Sequence, residues 1–328
     1  MTTKAPIRWG ILGTGRIAGV FAEGLRADPE AVLVAVGSRS AESAQRFANQ
    51  YNVARAHATY ADLANDAEVD AIYVATPHTS HMEDTLRCIA AGKAVLCEKP
   101  FAVNAAQART MIEAAKAANV PLMEAMWTRF LPIVRKAVAL INEGAIGEVR
   151  MIQSDFGFRT DVNPSGRLFD RNLAGGGLLD VGVYCVSLSV MLLGETIAAT
   201  GMAEIGSTGV DEQGAAVMSF ANGKLAYFST GVRTSTPMET TIMGTEGQIR
   251  LESPWFACKR LTLTKGGKSE VIELPFDGNG YHYEAAEVGR LLREKRVESD
   301  IMSWSDTMYT MEAMDRIRAV WGLRYPME

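Results

Sequence analysis

Two rhythms of apolar and polar positions divide the chain. Up to about residue 125, short continuous apolar runs alternate with stretches whose apolar residues recur at helical spacing. "IRWGILG" leads into a helical pattern from Arg16 to about Ala27, and "AVLVAVGS" leads into "AESAQRFANQY". "DAIYVATP" is followed by "HMEDTLRCIAAG", "AVLCEKP" by "NAAQARTMIEAAKAAN", and "VPLMEAMW" closes the series. Strands that are apolar at every position are covered on both faces, and strands separated by helices pair in parallel. The pattern predicts a doubly wound α/β domain over residues 1–125.

From about Gly147 the rhythm becomes an alternation of single residues, first in "EVRMIQSDFGF". A helical stretch runs from about Gly176 to Leu193. Strand-like runs follow: "AAVMSF", "KLAYFSTGV", "METTIMGT", "GQIRLES", "KRLTLT" and "SEVIEL". Turn signals at Asn222-Gly223, Glu246-Gly247 and Gly266-Gly267 separate them. "YHYEAAEVGRLLREK" and "DTMYTMEAMDRIRAVWG" read as helices. Residues 126–328 are therefore expected to form an α+β domain on a mostly antiparallel open sheet of about six strands. The short junction near Glu124–Arg129 predicts packed domains with a cleft between them.

Composition narrows the function. The chain has 328 residues, 48% hydrophobic and 22% charged, enough for two folded domains. A net charge of −5 argues against nucleic acid or an anionic membrane as partner. "MTTKAPIRWGILG" carries no secretory pattern, and no apolar run is expected to cross a bilayer. The four cysteines, Cys88, Cys97, Cys185 and Cys258, form no CxxC and read as reduced thiols of a cytoplasmic protein. His57, His78, His81 and His282 stand in no ligand pattern, so no metal is expected.

Chemistry concentrates where strands end. "GILGTGRIA" places Gly13, Thr14, Gly15, Arg16, Ile17 and Ala18 in a GxGxxA turn between a strand and a helix. Gly13 makes the turn, and Gly15 lets backbone approach a pyrophosphate at the helix N-terminus. The second strand ends in Ser38 and Arg39 without an acid to hold a ribose 2′-hydroxyl. Arginine can pair with a 2′-phosphate, which favours NADP over NAD. Thr76, Pro77 and His78 end the third strand, with His81 one turn further, and Glu98, Lys99 and Pro100 end the fourth. All face the crevice where ligands bind in such sheets. Lys99 is suited to polarise a substrate hydroxyl.

In "GGGLLDVGVYCVSLSVMLLG", Asp180 and Tyr184 are four apart on one face of an apolar helix. A buried aspartate needs a partner, and a lysine from the other domain would serve. Lys99, Asp180 and Tyr184 would then move a proton on a carbinol oxygen while a nicotinamide takes the hydride. Aromatic candidates for the pocket are Trp127, Phe156, Trp255 and Phe276, the loop position making Trp255 and Phe276 the favoured walls. Arg159, Asp161 and His282 are candidates for reading hydroxyls.

The fingerprint, "EKP" at 98–100 and "GGGLLDVGVY" at 175–184 resemble the glucose-fructose oxidoreductase/inositol dehydrogenase (Gfo/Idh/MocA) family across essentially the full length. "MEAMWTRFLP", "GGGLLDVGVYCVS" and "GYHYEAAEV" are similar to its branch of dimeric dihydrodiol dehydrogenases and NADP-dependent D-xylose 1-dehydrogenases. The resemblance implies a Rossmann domain, a homodimer through the C-terminal sheet and catalysis by Lys99. It also implies Tyr184 as acid/base assisted by Asp180, with Trp127 and Arg129 at the cofactor–substrate boundary. Inositol dehydrogenase-like members read Asp, His, Asp along this helix. Asp180, Tyr184 and Ser187 depart from that, which disfavours a cyclitol. The expected activity is hydride transfer between NADP and an aldose or a cyclic vicinal diol. The competing expectation is a dinucleotide-binding sensor without turnover, against which Lys99 and Tyr184 both argue.

Overall fold

The computed structural model describes residues 5–328, so the first four residues of the expected N-terminal domain lie outside the described residues. The chain begins β1 (Ile7–Leu12), α1 (Arg16–Leu25), β2 (Ala31–Gly37), α2 (Ala41–Tyr51), β3 (Arg55–His57) and α3 (Tyr60–Ala64). It continues β4 (Ala71–Val74), α4 (His81–Ala90), β5 (Ala94–Glu98), α5 (Ala105–Ala118) and β6 (Leu122–Ala125). The six strands are parallel in the order β3-β2-β1-β4-β5-β6. β4 and β5 are buried at every position, as their unbroken apolar runs require. The order reverses between β1 and β4, which opens a crevice beyond their C-terminal ends. β3 and α3 were not anticipated. "RAH" has one apolar residue and no period, and α3 is a single turn whose N-cap Thr59 accepts from the Asp62 N–H at 3.0 Å.

The second half comprises α6 (Pro132–Asn142), β7 (Val149–Gly157), a π-helical turn at Leu178–Gly182 continuing as α7 (Val183–Leu193), and β8 (Ala198–Ile205). Then come β9 (Asp211–Ser219), β10 (Leu225–Gly231), β11 (Thr240–Gly244), β12 (Gly247–Leu251), β13 (Arg260–Lys265) and β14 (Lys268–Glu273). α8 (His282–Glu294) and α9 (Trp304–Trp321) follow. The sheet has eight strands rather than about six, in the order β14-β13-β12-β11-β7-β10-β9-β8, and the seven strand-like runs correspond to β7 and β9–β14. Only the β7–β10 pair is parallel. The missed strand is β8, "AATGMAEI", an edge strand whose alanines and Gly201 give little strand signal.

Every residue from Val183 to Val190 is buried, so α7 is the core helix of this half. Contrary to expectation, Arg171–Leu193 is long and apolar enough to cross a membrane by length and composition; 83% of that window is buried inside the protein.

Packing divides the chain into two compact units. One comprises Met1–Ala102, Ala106–Trp127 and Asp277–Trp304; the other comprises Val103–Ala105, Thr128–Phe276 and Ser305–Glu328. Residues 277–304 thus join the parallel sheet rather than the segment that precedes them. Asn279 donates to the Val20 carbonyl at 2.7 Å, Leu122 N–H to the Val297 carbonyl at 3.1 Å, and the Trp304 indole to the Leu122 carbonyl at 2.9 Å. Helical periodicity identifies α8 as a helix but not the sheet it covers.

Candidate active site

In the first unit the glycine turn has the geometry its sequence implies. Gly13 has φ +110°, and a Cβ there would come within 2.8 Å of the Ala75 carbonyl oxygen, so only glycine fits. Gly15 caps α1 without any side-chain hydrogen bond, and a Cβ there would meet nothing within 4 Å. The first N–H groups of α1 therefore point toward an open cradle. A groove of about 330 Å³ lies there, lined by Thr14, Gly15, Arg16 and Glu23 among others. An uncapped helix N-terminus beside a side-chain-free approach fits a dinucleotide pyrophosphate.

At the end of β2, Ser38 is buried and Arg39 exposed. Arg39 lies near the Tyr60 hydroxyl, whose pKa is raised, chiefly by burial and then by Asp84. Ser40 caps α2 by accepting from the Ser43 N–H at 3.1 Å. The loop thus presents an arginine and hydroxyls and no carboxylate.

At the end of β5, Lys99 is the first half-buried residue after five fully buried ones. Glu98 is buried, accepts from the Tyr73 hydroxyl, and accepts the Lys99 N–H at 3.0 Å. The Phe101 N–H reaches Glu124 at 3.3 Å. This loop is fixed by buried carboxylates on both sides of Lys99.

Thr76 and His78 are buried beside it, Pro77 is partly exposed, and the rings of His78 and His81 meet edge-on at 5.8 Å. His81 corrects one expectation. Its ring is wholly buried, with Nδ1 2.8 Å from the Pro100 carbonyl and Nε2 2.9 Å from the Thr76 carbonyl. No surface remains for a cofactor. Burial, with Lys99 nearby, lowers its pKa to about 4. As a neutral ring it donates to one of the two carbonyls.

In the second unit, Asp180 is buried in the π-helical turn and accepts from Arg167 Nη1 at 2.7 Å. Sequence reasoning missed this partner, which lies thirteen positions upstream in an irregular segment. Tyr184 is buried against Phe156 (ring centroids 5.3 Å) and Phe256 (5.7 Å). Those two phenylalanines stack at 4.1 Å and 6°.

Of the two aromatics in the "SPWFA" loop, half-buried Phe256 is the one set beside Tyr184, whereas the expectation favoured its neighbour Trp255. Trp255 has no exposed surface, and its indole donates to the Asp155 carbonyl at 2.8 Å. The loop folds back on β7 and buries the larger ring, so Trp255 is core and not a pocket wall. Phe276 is half-buried, with the Lys259 ammonium 4.6 Å from its ring centre. Arg159 and Asp161 are exposed and 3.3 Å apart.

Arg129 departs from a cofactor role. It is buried, and its guanidinium bonds the Ser187 hydroxyl at 3.0 Å, the Ser187 carbonyl at 2.8 Å, and Asp306. It ties α7 to α9 instead. Trp127 and His282 belong to the first unit. Trp127 stacks on Tyr281 at 4.7 Å, and His282 lies 4.0 Å from the Tyr283 ring. Among the described residues no group of three or more His, Cys, Asp or Glu side chains could hold a metal ion.

Residues 7–126 match the oxidoreductase family with NAD-binding Rossmann fold (GFO_IDH_MocA), and residues 134–250 match the GFO/IDH/MocA C-terminal domain. The chain is 36% identical to trans-1,2-dihydrobenzene-1,2-diol dehydrogenase of Xenopus laevis, covering 97% of this chain and 99% of that one. It is 33% identical to the Homo sapiens enzyme of that name, over 98% and 99%. A 3-ketoreductase from Actinomadura kijaniata, solved with NADP and TDP-benzene, superposes with TM-score 0.84 at 25% identity, over 96% and 98% of the chains. An aldose-aldose oxidoreductase from Caulobacter crescentus shares the fold with TM-score 0.87 at 24% identity, over 96% and 97%.

Proposed function

Since the chain belongs to the Gfo/Idh/MocA oxidoreductase family, we propose that it transfers hydride between NADP and a carbinol carbon of a sugar or a cyclic vicinal diol. The observation that carries this reading is the placement of the Tyr184 ring against the stacked Phe156–Phe256 pair, on the helix that begins with the turn holding the buried Asp180. Flat apolar faces beside a proton-transfer group suit the C–H surface of a sugar or a dihydrodiol ring.

The nicotinamide supplies the hydride acceptor or donor. The α1 N-terminus with Gly13, Thr14, Gly15, Arg16 and Ile17 holds the pyrophosphate, and Arg39 with Ser38 holds a 2′-phosphate, which favours NADP. Thr76, Pro77, His78 and Glu98 line the nicotinamide side. Lys99, an ammonium at the end of a fully buried strand, polarises the carbinol oxygen. Tyr184 takes its proton, and Asp180, its charge shared with Arg167, assists. Trp127, Phe276, Arg159 and His282 complete the substrate set.

Two copies are proposed to associate through the eight-stranded sheet. Val217 and Tyr227 are cross-strand partners and both exposed, with Met202 exposed on the neighbouring edge strand. The four buried thiols suit a reducing, cytoplasmic setting.

The test is incubation of the purified protein with NADP and a panel of aldoses and trans-dihydrodiols, reading reduced nicotinamide by absorbance. Turnover of an aldose or a diol supports the proposal. Tight NADP binding without turnover of any panel member overturns it in favour of a sensor.

A further inference from the structure

Resting on the reading of Tyr184 and Asp180 as acid–base groups, we propose that Asp211 is a positioning residue that fixes the start of their helix. Asp211 opens β9 and has no exposed surface. Its Oδ2 accepts the Leu178 N–H at 2.6 Å. Leu178 is the first residue of the turn that carries Asp180 and runs into Tyr184.

Asp211 does not act alone. The Thr230 hydroxyl of β10 donates to the Gly177 carbonyl at 3.2 Å, and the Tyr325 hydroxyl donates to the Gly175 carbonyl at 2.8 Å. Three side chains, from β9, β10 and the segment after α9, thus hold Gly175, Gly177 and the first residue of the helix. The glycines are in turn required by the grip. Gly176 has φ +117°, and a Cβ there would sit 2.0 Å from Asp211 Oδ1. That oxygen is buried and has no hydrogen-bond partner among the described residues.

A carboxyl buried at this cost, with half its capacity unused, needs a reason. A helix interior needs no outside help to stay helical, but its first turn has N–H groups without intrahelical acceptors. The end that carries Asp180 is therefore the end that requires an anchor. Helices are stiff, so holding Leu178 holds Tyr184 about 9 Å along the axis. An error of about 1 Å in a proton-transfer group can cost about a hundredfold in rate.

Burial raises the pKa of Asp211 to about 7, with Arg318 of α9 the opposing charge and the Tyr325 hydroxyl also facing it. Either protonation state keeps a carboxyl oxygen that accepts from Leu178. The asparagine variant keeps one too.

The test uses the full-length protein with NADP and D-xylose or a trans-dihydrodiol, alongside hydrogen exchange. Asp211→Ala is expected to lower kcat by about tenfold or more, with the Kd for NADP unchanged. Asp211→Asn is expected to recover most of that rate. Exchange at the Leu178 amide is expected to quicken in the alanine variant and stay slow in the asparagine variant. A kcat per folded molecule unchanged by Asp211→Ala, whatever its Tm, overturns the inference, as does a Leu178 amide equally protected in wild type and the alanine variant. If Asp211→Ala does not fold, Thr230→Val carries the test: a several-fold loss of kcat supports the grip, and an unchanged kcat overturns it. Tyr184→Phe separates the underlying reading. Full activity in that variant removes Tyr184 from the chemistry, while Leu178 exchange still decides whether Asp211 anchors the helix.

Discussion

Phe156 on β7 and Phe256 in the turn before β13 stack with ring centroids 4.1 Å apart and planes within 6°, and both rings lie against Tyr184. Two residues a hundred positions apart in sequence thereby form one flat apolar surface beside Tyr184, the proposed acid–base group. Phe256 is the more exposed of the two, which makes it the one with a face to offer a ligand.

Replacing Phe256 with alanine should therefore raise KM for the sugar or diol several-fold, in keeping with about 1–3 kcal/mol for an aromatic face buried against a ligand. NADP affinity should not change. Trp255→Ala is the contrast: a fully buried ring lost from the core should cost about 3–5 kcal/mol of stability, with KM unchanged for the folded fraction. Steady-state kinetics paired with denaturant unfolding distinguishes the two. Equal effects of both variants on KM would show that the loop acts as a unit.

How much of this was legible in the sequence follows from the range of each interaction. The glycine turn at Gly13–Ala18 and the Glu98-Lys99-Pro100 strand end are local signals, and the backbone carries them as read. Asp180 and Tyr184 are legible as polar exceptions in an apolar helix. Arg167 as the partner of Asp180 was not, because it comes from an irregular segment without period. Trp255 and Phe256 are adjacent in one loop, and which ring turns inward depends on its packing against β7, which no local pattern encodes. Asp211 opens a strand as an unremarkable "DEQ"; only the tertiary fold brings it to the glycines.

Lys99→Ala should lower kcat by at least about a hundredfold, the usual scale for an acid–base group. The Kd for NADP should barely move. Lys99→Arg, which keeps the charge on a planar head of different reach, should recover little. Single-turnover rates under saturating cofactor provide the measurement, and near-normal rates in the alanine variant would remove Lys99 from the chemistry.

Arg39 controls cofactor choice if it meets a 2′-phosphate. Arg39→Ala should then weaken NADP by about 2 kcal/mol, the scale of a charge-assisted hydrogen bond. NAD should bind as before or better. Tyr60 lies near Arg39, so Tyr60→Phe should be a milder version of the same change. Titration of both cofactors against both variants reads the effect directly; parallel losses for NAD and NADP would mean that Arg39 supports the fold alone.

Glu284 on α8 yields a stability prediction with a definite sign. It is fully buried, and neither carboxyl oxygen has a hydrogen-bond partner among the described residues. Burial, and then the neighbouring Glu98, push its pKa well above the usual carboxylate range. The folded state therefore holds this proton while the unfolded chain releases it above about pH 4.3. A group with a raised folded pKa contributes its full stability below the unfolded value and loses it as pH rises toward the folded value. From this residue alone, stability should fall by up to about 1.4 kcal/mol per pH unit above that point. Glu284→Gln removes the titration and keeps the shape. Relative to wild type, the variant should gain stability as pH rises above about 5, and the difference should level off below about pH 4. Urea unfolding at four or five pH values measures it. A wild-type–variant difference that stays constant across that range would mean that Glu284 is ionised in the folded protein and has found a partner for its charge.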